Sequence, residues 1–437
     1  MPKTTEDIKE LLARETIMEG RGLNSLLDQL ELKNSGAVFF LNEEGKFDAL
    51  LHFDTHKKLE LIQPTAIYVF NKQSLILFFD LTNPTDKKRE YEIHKKVWSF
   101  DNAPVIFIVK ENDISVYNAL NYVKKERLLQ EIPFETEDER NEKFSFWNLQ
   151  SGDTWKWLQM EYLENQSKKI TQKRVHERLF QNIKDVREEL KKLALPESHA
   201  NSLILRLIFI RYLIDRGVEL NNAYISGETS NDRRKCLCEL ITQPDKLNDL
   251  FDYLDKRFNG ILFKDLDISI NNEHAKFLAN VFSGELQGDD SIFKDYFFEI
   301  YDFSIIPVEL ISGIYESLID EETKRYNSAI YTPPFLVEYI LNDTVDKYLE
   351  NAQTSGCKVF EVAVGSGIFL VQSLRRMIEK EIKLNKHATN EAFSERIREI
   401  AKENLYGIDI NVEALKVTCF SIYIALLDYQ QPKEIDK

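Results

Sequence analysis

The sequence predicts a chain that is α/β at both ends and helical between them. Three observations predict it. Five short β-rich runs fall before residue 135, helical periodicity dominates from 175 to 216, and residues 358–410 read as strand, glycine turn, helix and second strand. These features divide the 437 residues into parts at 1–135, 136–325 and 326–437. With 43% apolar and 30% charged residues, the composition is that of an ordinary soluble protein. The net charge of -16 argues against a bare nonspecific DNA binder, although it leaves room for a local basic groove. Four cysteines in so long a chain make no disulfide framework, and Cys236-Leu-Cys238 lacks a second pair at metal spacing, so no metal ligands are assigned. The first residues hold no apolar signal core and no run approaches the length of a membrane span, which places the chain in the cytoplasm.

In the first part the β-rich runs begin at Ala37, Ala66, Ser74, Pro104 and Ile114, separated by Asn, Gly, Lys and Pro turns. They suggest one small mixed sheet. The charged segment 86–96 reads as a solvated helical face, with phosphate contact as the alternative. Residues 133–143, acidic and polar, read as a linker.

Helices follow. Val175, Leu179, Ile183, Val186, Leu190 and Leu193 recur every three or four residues, an apolar stripe that Pro196 should end. The next helix should run from Ser198 as N-cap to Gly217, buried almost throughout. Its Arg206 and Arg211 are read as pairing with acids inside the domain rather than touching DNA. The clusters 168–178 and Arg233-Arg234-Lys235 suit either a DNA backbone or an exposed charged face.

The third part carries the chemistry. After the β-prone Lys358-Val359-Phe360 comes the loop Glu361-Val-Ala-Val-Gly365-Ser-Gly367, then an amphipathic helix from Phe369. Glycines let such a turn reach positive φ and let a ligand approach the backbone, and the amides at a helix start favour anionic groups. A second β-like run, 405–410, ends in Asp409, an acid suited to the hydroxyls of a ribose. Together they describe a nucleoside cofactor site. A glycine turn without a ligand is the alternative, and Asp409 lies further on than the roughly 20 residues usual in dinucleotide folds.

Glu361 to Leu370 resembles the first motif of gamma-class adenine-specific DNA methyltransferases, in which such a loop holds S-adenosylmethionine. Tyr331-Thr332-Pro333-Pro334 is similar to the motif that precedes it in that class, and Tyr406-Gly-Ile-Asp409-Ile-Asn411 to the second motif. The segments 206–217, 258–263 and 301–316 look like the helical connector of type IIG restriction-modification enzymes and related phage-defence proteins. This resemblance implies a Rossmann-like methyltransferase domain beginning near 326, behind that connector. It implies that Tyr331, Thr332 and Pro333 line the methionine side, that Glu361, Ala363, Gly365, Ser366, Gly367 and Phe369 hold the amino-acid moiety, and that Asp409 holds the ribose with Ile410 beside the adenine. Val362 and Val364 stand where the family usually has proline and cysteine. The first 135 residues resemble the nuclease-like domain of restriction enzymes, with acids at Asp48 and Asp80, but Leu81-Thr82 replaces the acid-x-Lys needed for metal-assisted hydrolysis, so an inactive scaffold is expected.

The implied reaction is methyl transfer to an adenine amine of double-stranded DNA. The family's Asn/Asp-Pro-Pro-Tyr/Phe motif, which holds the flipped base, is not among the 437 residues. No catalytic residue is therefore assigned. The motif and target recognition are expected beyond residue 437 or in a second subunit, and the chain alone is expected to be inactive. The alternative is a non-catalytic methyltransferase-like scaffold or sensor subunit of a defence complex, binding DNA and protein.

Overall fold

A computed structural model of the protein describes residues 22–41, 51–70, 73–82, 87–123, 128–164, 174–258, 270–283, 298–307, 310, 313–314, 318, 334–385 and 389–430. They gather into two compact units, Met1–Glu177 and Arg178–Lys437.

The first unit is built on a six-stranded sheet in sequential order: β1 (Val38–Phe40), β2 (Ala66–Phe70), β3 (Gln73–Asp80), β4 (Val105–Val109), β5 (Ile114–Val123) and β6 (Leu128–Glu131). All neighbours are antiparallel except β3 and β4. Parallel neighbours need a long crossover. Here it contains a helix, the third of α1 (Leu23–Gln29), α2 (Phe53–Ile62) and α3 (Lys87–Phe100). Alternation along β3 and β4 sends Ile76, Phe78, Val105 and Phe107 into a core with α1 leucines, and Leu77, Phe79, Ile106 and Ile108 to the opposite face, where they are equally buried. The sheet is therefore covered on both sides.

Five strands were expected and a sixth is present. The Leu-Leu-Gln-Glu of β6 has no β-propensity to announce it. Its position depends on α3, where burial and then the Lys110 charge push His94 down to about 3. The neutral ring takes the Leu129 N–H on Nδ1 at 3.1 Å. Residues read as a linker are also ordered: Thr136 caps α4 (Glu137–Lys143) by accepting the Glu139 N–H, and acids in the first turn suit the helix dipole. Two short helices follow, α5 (Phe146–Ser151) and α6 (Asp153–Leu158), and Phe144, Leu149 and Leu158 join the sheet core. Asp80 accepts the Thr82 N–H at 3.1 Å and its hydroxyl at 2.7 Å, while Asp48 lies outside the described residues.

The expected stripe forms on α7 (Val175–Lys192), most of which lies in the second unit, with Val175, Leu179, Ile183, Val186 and Leu190 buried. It ends earlier than Pro196, because Ala194 turns left-handed at φ 66. Pro196 instead opens α8 (Glu197–Asp215), so Ser198 is a first-turn residue and not the cap. At the other end Gly217, φ 74, donates to Ile214 and Val218 donates to Leu213, closing a Schellman turn. Residues 203–215 of α8 are all buried, as expected of a central helix.

Its charges are matched internally. Arg211 donates to Asp215 at 2.9 Å, and Arg206 lies 5.0 Å from the Phe251 ring. Asp215 also accepts from Arg234 (2.6 Å) and from the Phe303 amide (3.1 Å), so α8 holds both α9 (Ser230–Ile241) and the segment after 300. Arg234 is thereby taken from the cluster that suited a DNA backbone, and Arg233 bonds the Gly227 carbonyl. Next come α10 (Pro244–Phe258), α11 (Asn272–Ser283) and an aromatic cluster in which Phe282 stacks on Phe298 at 4.6 Å. The last elements are α12 (Pro334–Leu341), α13 (Lys347–Asn351), β7 (Val359–Glu361), α14 (Ile368–Leu384), α15 (Asn390–Asn404), β8 (Leu405–Gly407) and α16 (Val412–Leu427). β7 and β8 are parallel. Asp428, just past α16, accepts from Arg216 and, at 3.0 Å, from Arg375 of α14.

Replacing Asp215 with alanine strands Arg211 and the Phe303 amide in a dry interior. The variant is expected to lose about 3–5 kcal/mol of unfolding free energy, read from the urea transition of the second unit.

Candidate functional site

The strand, turn and helix expected near 360 are present, and the turn is closed by β8. The Ile408 N–H donates to the Glu361 carbonyl at 3.0 Å and the Val364 N–H to the Ile408 carbonyl at 3.1 Å, which carries the parallel pairing past the ends of both strands. Beyond that point the chain doubles back. Gly365 lies at φ 52 and Gly367 at φ 81, a pair of left-handed residues for which side chains are strained. Gly367 caps α14, and a Cβ there would lie 2.7 Å from the Thr418 methyl. A Cβ on Gly365 would meet nothing within 4 Å, so that glycine faces open space.

Asp409 reaches into this turn. Its Oδ2 accepts the Gly365 N–H at 2.9 Å and its Oδ1 the Asn411 N–H at 2.8 Å, an Asx turn leading into α16. Each oxygen retains a lone pair. Glu361 stands beside it, with Oε2 buried and without a hydrogen-bond partner. Burial first, and the Asp409 charge second, push the Glu361 carboxyl up to about 7. Two neighbouring acids, one of them with an unpaired buried oxygen, can accept hydrogen bonds from a ligand's donors. Ser366 is buried in the turn, Ala363 is exposed beside it, and Ile410 is 88% exposed.

A cavity of about 990 Å³ flanks β7, lined among others by Ile340, Tyr348, Phe360, Glu361, Val362 and Phe369. Glu361 and Phe369 link it to the turn, whereas Gly365, Gly367 and Asp409 do not line it, so the hydrogen-bond geometry of the turn defines the site better than the cavity does. Of the two departures at the loop, Val364 is buried against Gly407, whose added Cβ would lie 2.9 Å from it, and Val362 is exposed. Tyr331, Thr332 and Pro333 lie outside the described residues.

Sequence reasoning passed over Thr418. Its Oγ1 donates to the Gly365 carbonyl at 2.9 Å. The available signal was a hydroxyl on a mostly apolar helix, which needs a partner. Among the described residues no group of three or more His, Cys, Asp or Glu is placed to hold a metal, and no helix is long and apolar enough to cross a membrane.

Residues 342–437 match the family model of the MmeI DNA-methyltransferase domain. The resemblance to type IIG and phage-defence adenine methyltransferases holds. The chain is 21% identical over 282 residues to the type II restriction enzyme and methyltransferase RM.Eco57I of Escherichia coli, a match covering 56% of this chain and 26% of that protein. It is 23% identical over 127 residues to the adenine-specific methyltransferase PglX of Streptomyces coelicolor, covering 29% of this chain and 10% of the relative. The chain thus spans about a quarter of the first relative's length and a tenth of the second's. No solved structure matches it significantly.

The state of Glu361 has a measurable consequence. Between about pH 4.5 and 7 the folded chain keeps a proton that the unfolded chain has released, so this group's contribution to stability falls as pH rises through that window. Glu361→Gln should remove that part of the slope. Its unfolding midpoint is expected to decline less than the wild type's across the window, as read by thermal denaturation at a series of pH values.

Proposed function

We propose that this chain is the S-adenosylmethionine-binding part of a site-specific DNA adenine methyltransferase of restriction-modification or phage-defence type. The observation that carries the reading is the turn in which Asp409 closes on Gly365 beside the unpaired buried oxygen of Glu361. That donor set fits the cofactor: Glu361 would hold the ammonium of its methionine, Asp409 the ribose through its remaining lone pairs, and Ile410 would lie along the adenine. Gly365, with open space where a Cβ would stand, leaves room for the ligand. Ser366 and Gly367 shape the turn, Phe369 stands at the head of α14, and Tyr331, Thr332 and Pro333 would complete the methionine side. When bound, the cofactor supplies an electrophilic sulfonium methyl group. The chain's residues bind and orient it, and double-stranded DNA supplies the accepting amine.

In this reading residues 1–135 are a nuclease-like scaffold, 136–325 the helical connector, and 326–437 the cofactor half of a gamma-class, Rossmann-like domain. The base-holding motif and target recognition come from polypeptide beyond these 437 residues or from a second subunit. The MmeI-domain match over 342–437 and the two methyltransferase relatives support the assignment.

Calorimetric titration with S-adenosylmethionine tests it. The wild type is expected to bind, and Gly365→Asp to bind at least about tenfold more weakly. Aspartate tolerates positive φ better than most residues, so this variant should fold while filling the ligand's space. A wild type that gives no heat favours the scaffold reading. With labelled cofactor and DNA, the 437-residue chain alone should transfer no methyl group.

A further inference from the structure

The glycine turn is held by more than the acid at the strand end. Gly365 has two backbone polar groups, and both are engaged by side chains from the segment after β8: Asp409 accepts its N–H at 2.9 Å and Thr418 donates to its carbonyl at 2.9 Å. These residues lie nine apart, before and within α16, so one rigid element grips the glycine on both sides of its Cα. The dihedral that this grip fixes, φ 52, is one that glycine reaches without strain but only as one of many conformations open to an unrestrained chain.

Thr418 acts on the second glycine as well. Its methyl would be 2.7 Å from a Cβ on Gly367, so the two backbones approach as closely as glycine allows. The hydroxyl meets one glycine and the methyl the other. Thr418 is itself 5% exposed, so its hydroxyl has no water to exchange for the Gly365 carbonyl. Ser421, the next hydroxyl on α16, bonds the Val417 carbonyl of its own helix at 2.8 Å, as helical hydroxyls commonly do. Thr418 bonds outward instead.

We infer that Thr418 is a positioning residue for the cofactor turn, with its hydroxyl and the Asp409 carboxylate clamping Gly365 in the conformation that the ligand meets. The inference rests on the cofactor reading given above. Thr418 need not touch the ligand. Its contribution is to set the turn before binding, so that ordering the loop is not charged against affinity.

Thr418→Val keeps the shape and removes the hydroxyl, whereas Thr418→Ser keeps the hydroxyl and removes the methyl. Two measurements on the full chain separate the possibilities. In hydrogen exchange without ligand, the Gly365 and Gly367 amides should exchange about tenfold faster in the valine variant and near the wild-type rate in the serine variant, as expected for loss of one buried hydrogen bond. In calorimetry, the dissociation constant for S-adenosylmethionine should rise about tenfold in the valine variant and be largely restored in the serine variant. Unchanged exchange in Thr418→Val overturns the clamp, and so does a serine variant that behaves like the valine one. A wild type that fails to bind the cofactor sinks the functional reading instead, and the exchange data still decide the clamp.

Discussion

The second unit is organised around two adjacent residues of opposite charge at the end of α8. Asp215 faces one way, toward Arg211, Arg234 and the Phe303 amide. Arg216 faces another, toward Asp428, which also receives Arg375. Buried charges are costly unless paired and hydrogen-bonded. Once these are paired they permit little adjustment. The aspartate fixes α9 and the segment after 300 on α8, and the arginine, through Asp428, fixes the end of α16 and the middle of α14, the helix that starts at the glycine turn. The Asp215–Arg216 step therefore ties the helices around α8 to the glycine turn.

The turn depends on that tie. Asp409 and Thr418 belong to the segment that leads into α16 and to α16 itself, whereas Gly367 caps α14. Sliding one helix against the other by an ångström would break both bonds to Gly365, since hydrogen bonds weaken quickly with distance. Phe209 of α8 packs edge-on against Phe420 of α16 at 5.2 Å, an apolar contact beside the ionic one. Packing and charge thus act on the same pair of elements. The acid pair then has its environment prescribed: Glu361, half-buried beside Asp409, keeps its proton up to about pH 7, past the range in which a freely solvated carboxyl loses it.

Much of this was legible in the residues. The β-rich apolar runs Ile76–Phe79 and Val105–Ile108 announce buried strands, and the left-handed glycines at 365 and 367 and the acid at 409 converge although that acid follows the glycines at more than the usual distance. The internal pairing of Arg211 followed from the apolar helix around it. What stayed hidden was decided by tertiary contact. The strand at 128–131 is composed of residues that would suit a helix, and it is strand because β5 and His94 offer its amides partners. The helix at 137–143 looked like a linker because its acids serve its first turn and do not mark a boundary. Arg234 sits in a basic run beside an exposed Lys235, and nothing local tells it from its neighbours. Thr418 carries no motif, and its role exists only where two helices meet.

One feature of the small sheet bears on handling the protein. Among the described residues β7 has β8 as its one neighbour, and Phe360 (61%), Val362 (68%), Ile408 and Ile410 are exposed along the pair. Two strands alone are barely stable in water, and α14 and α15 pack on this pair and hold it in place. Its outer rim is apolar among the described residues. At millimolar concentration such a rim invites sticking between molecules, so dilute, low-salt preparations will keep the chain dispersed better than concentrated ones.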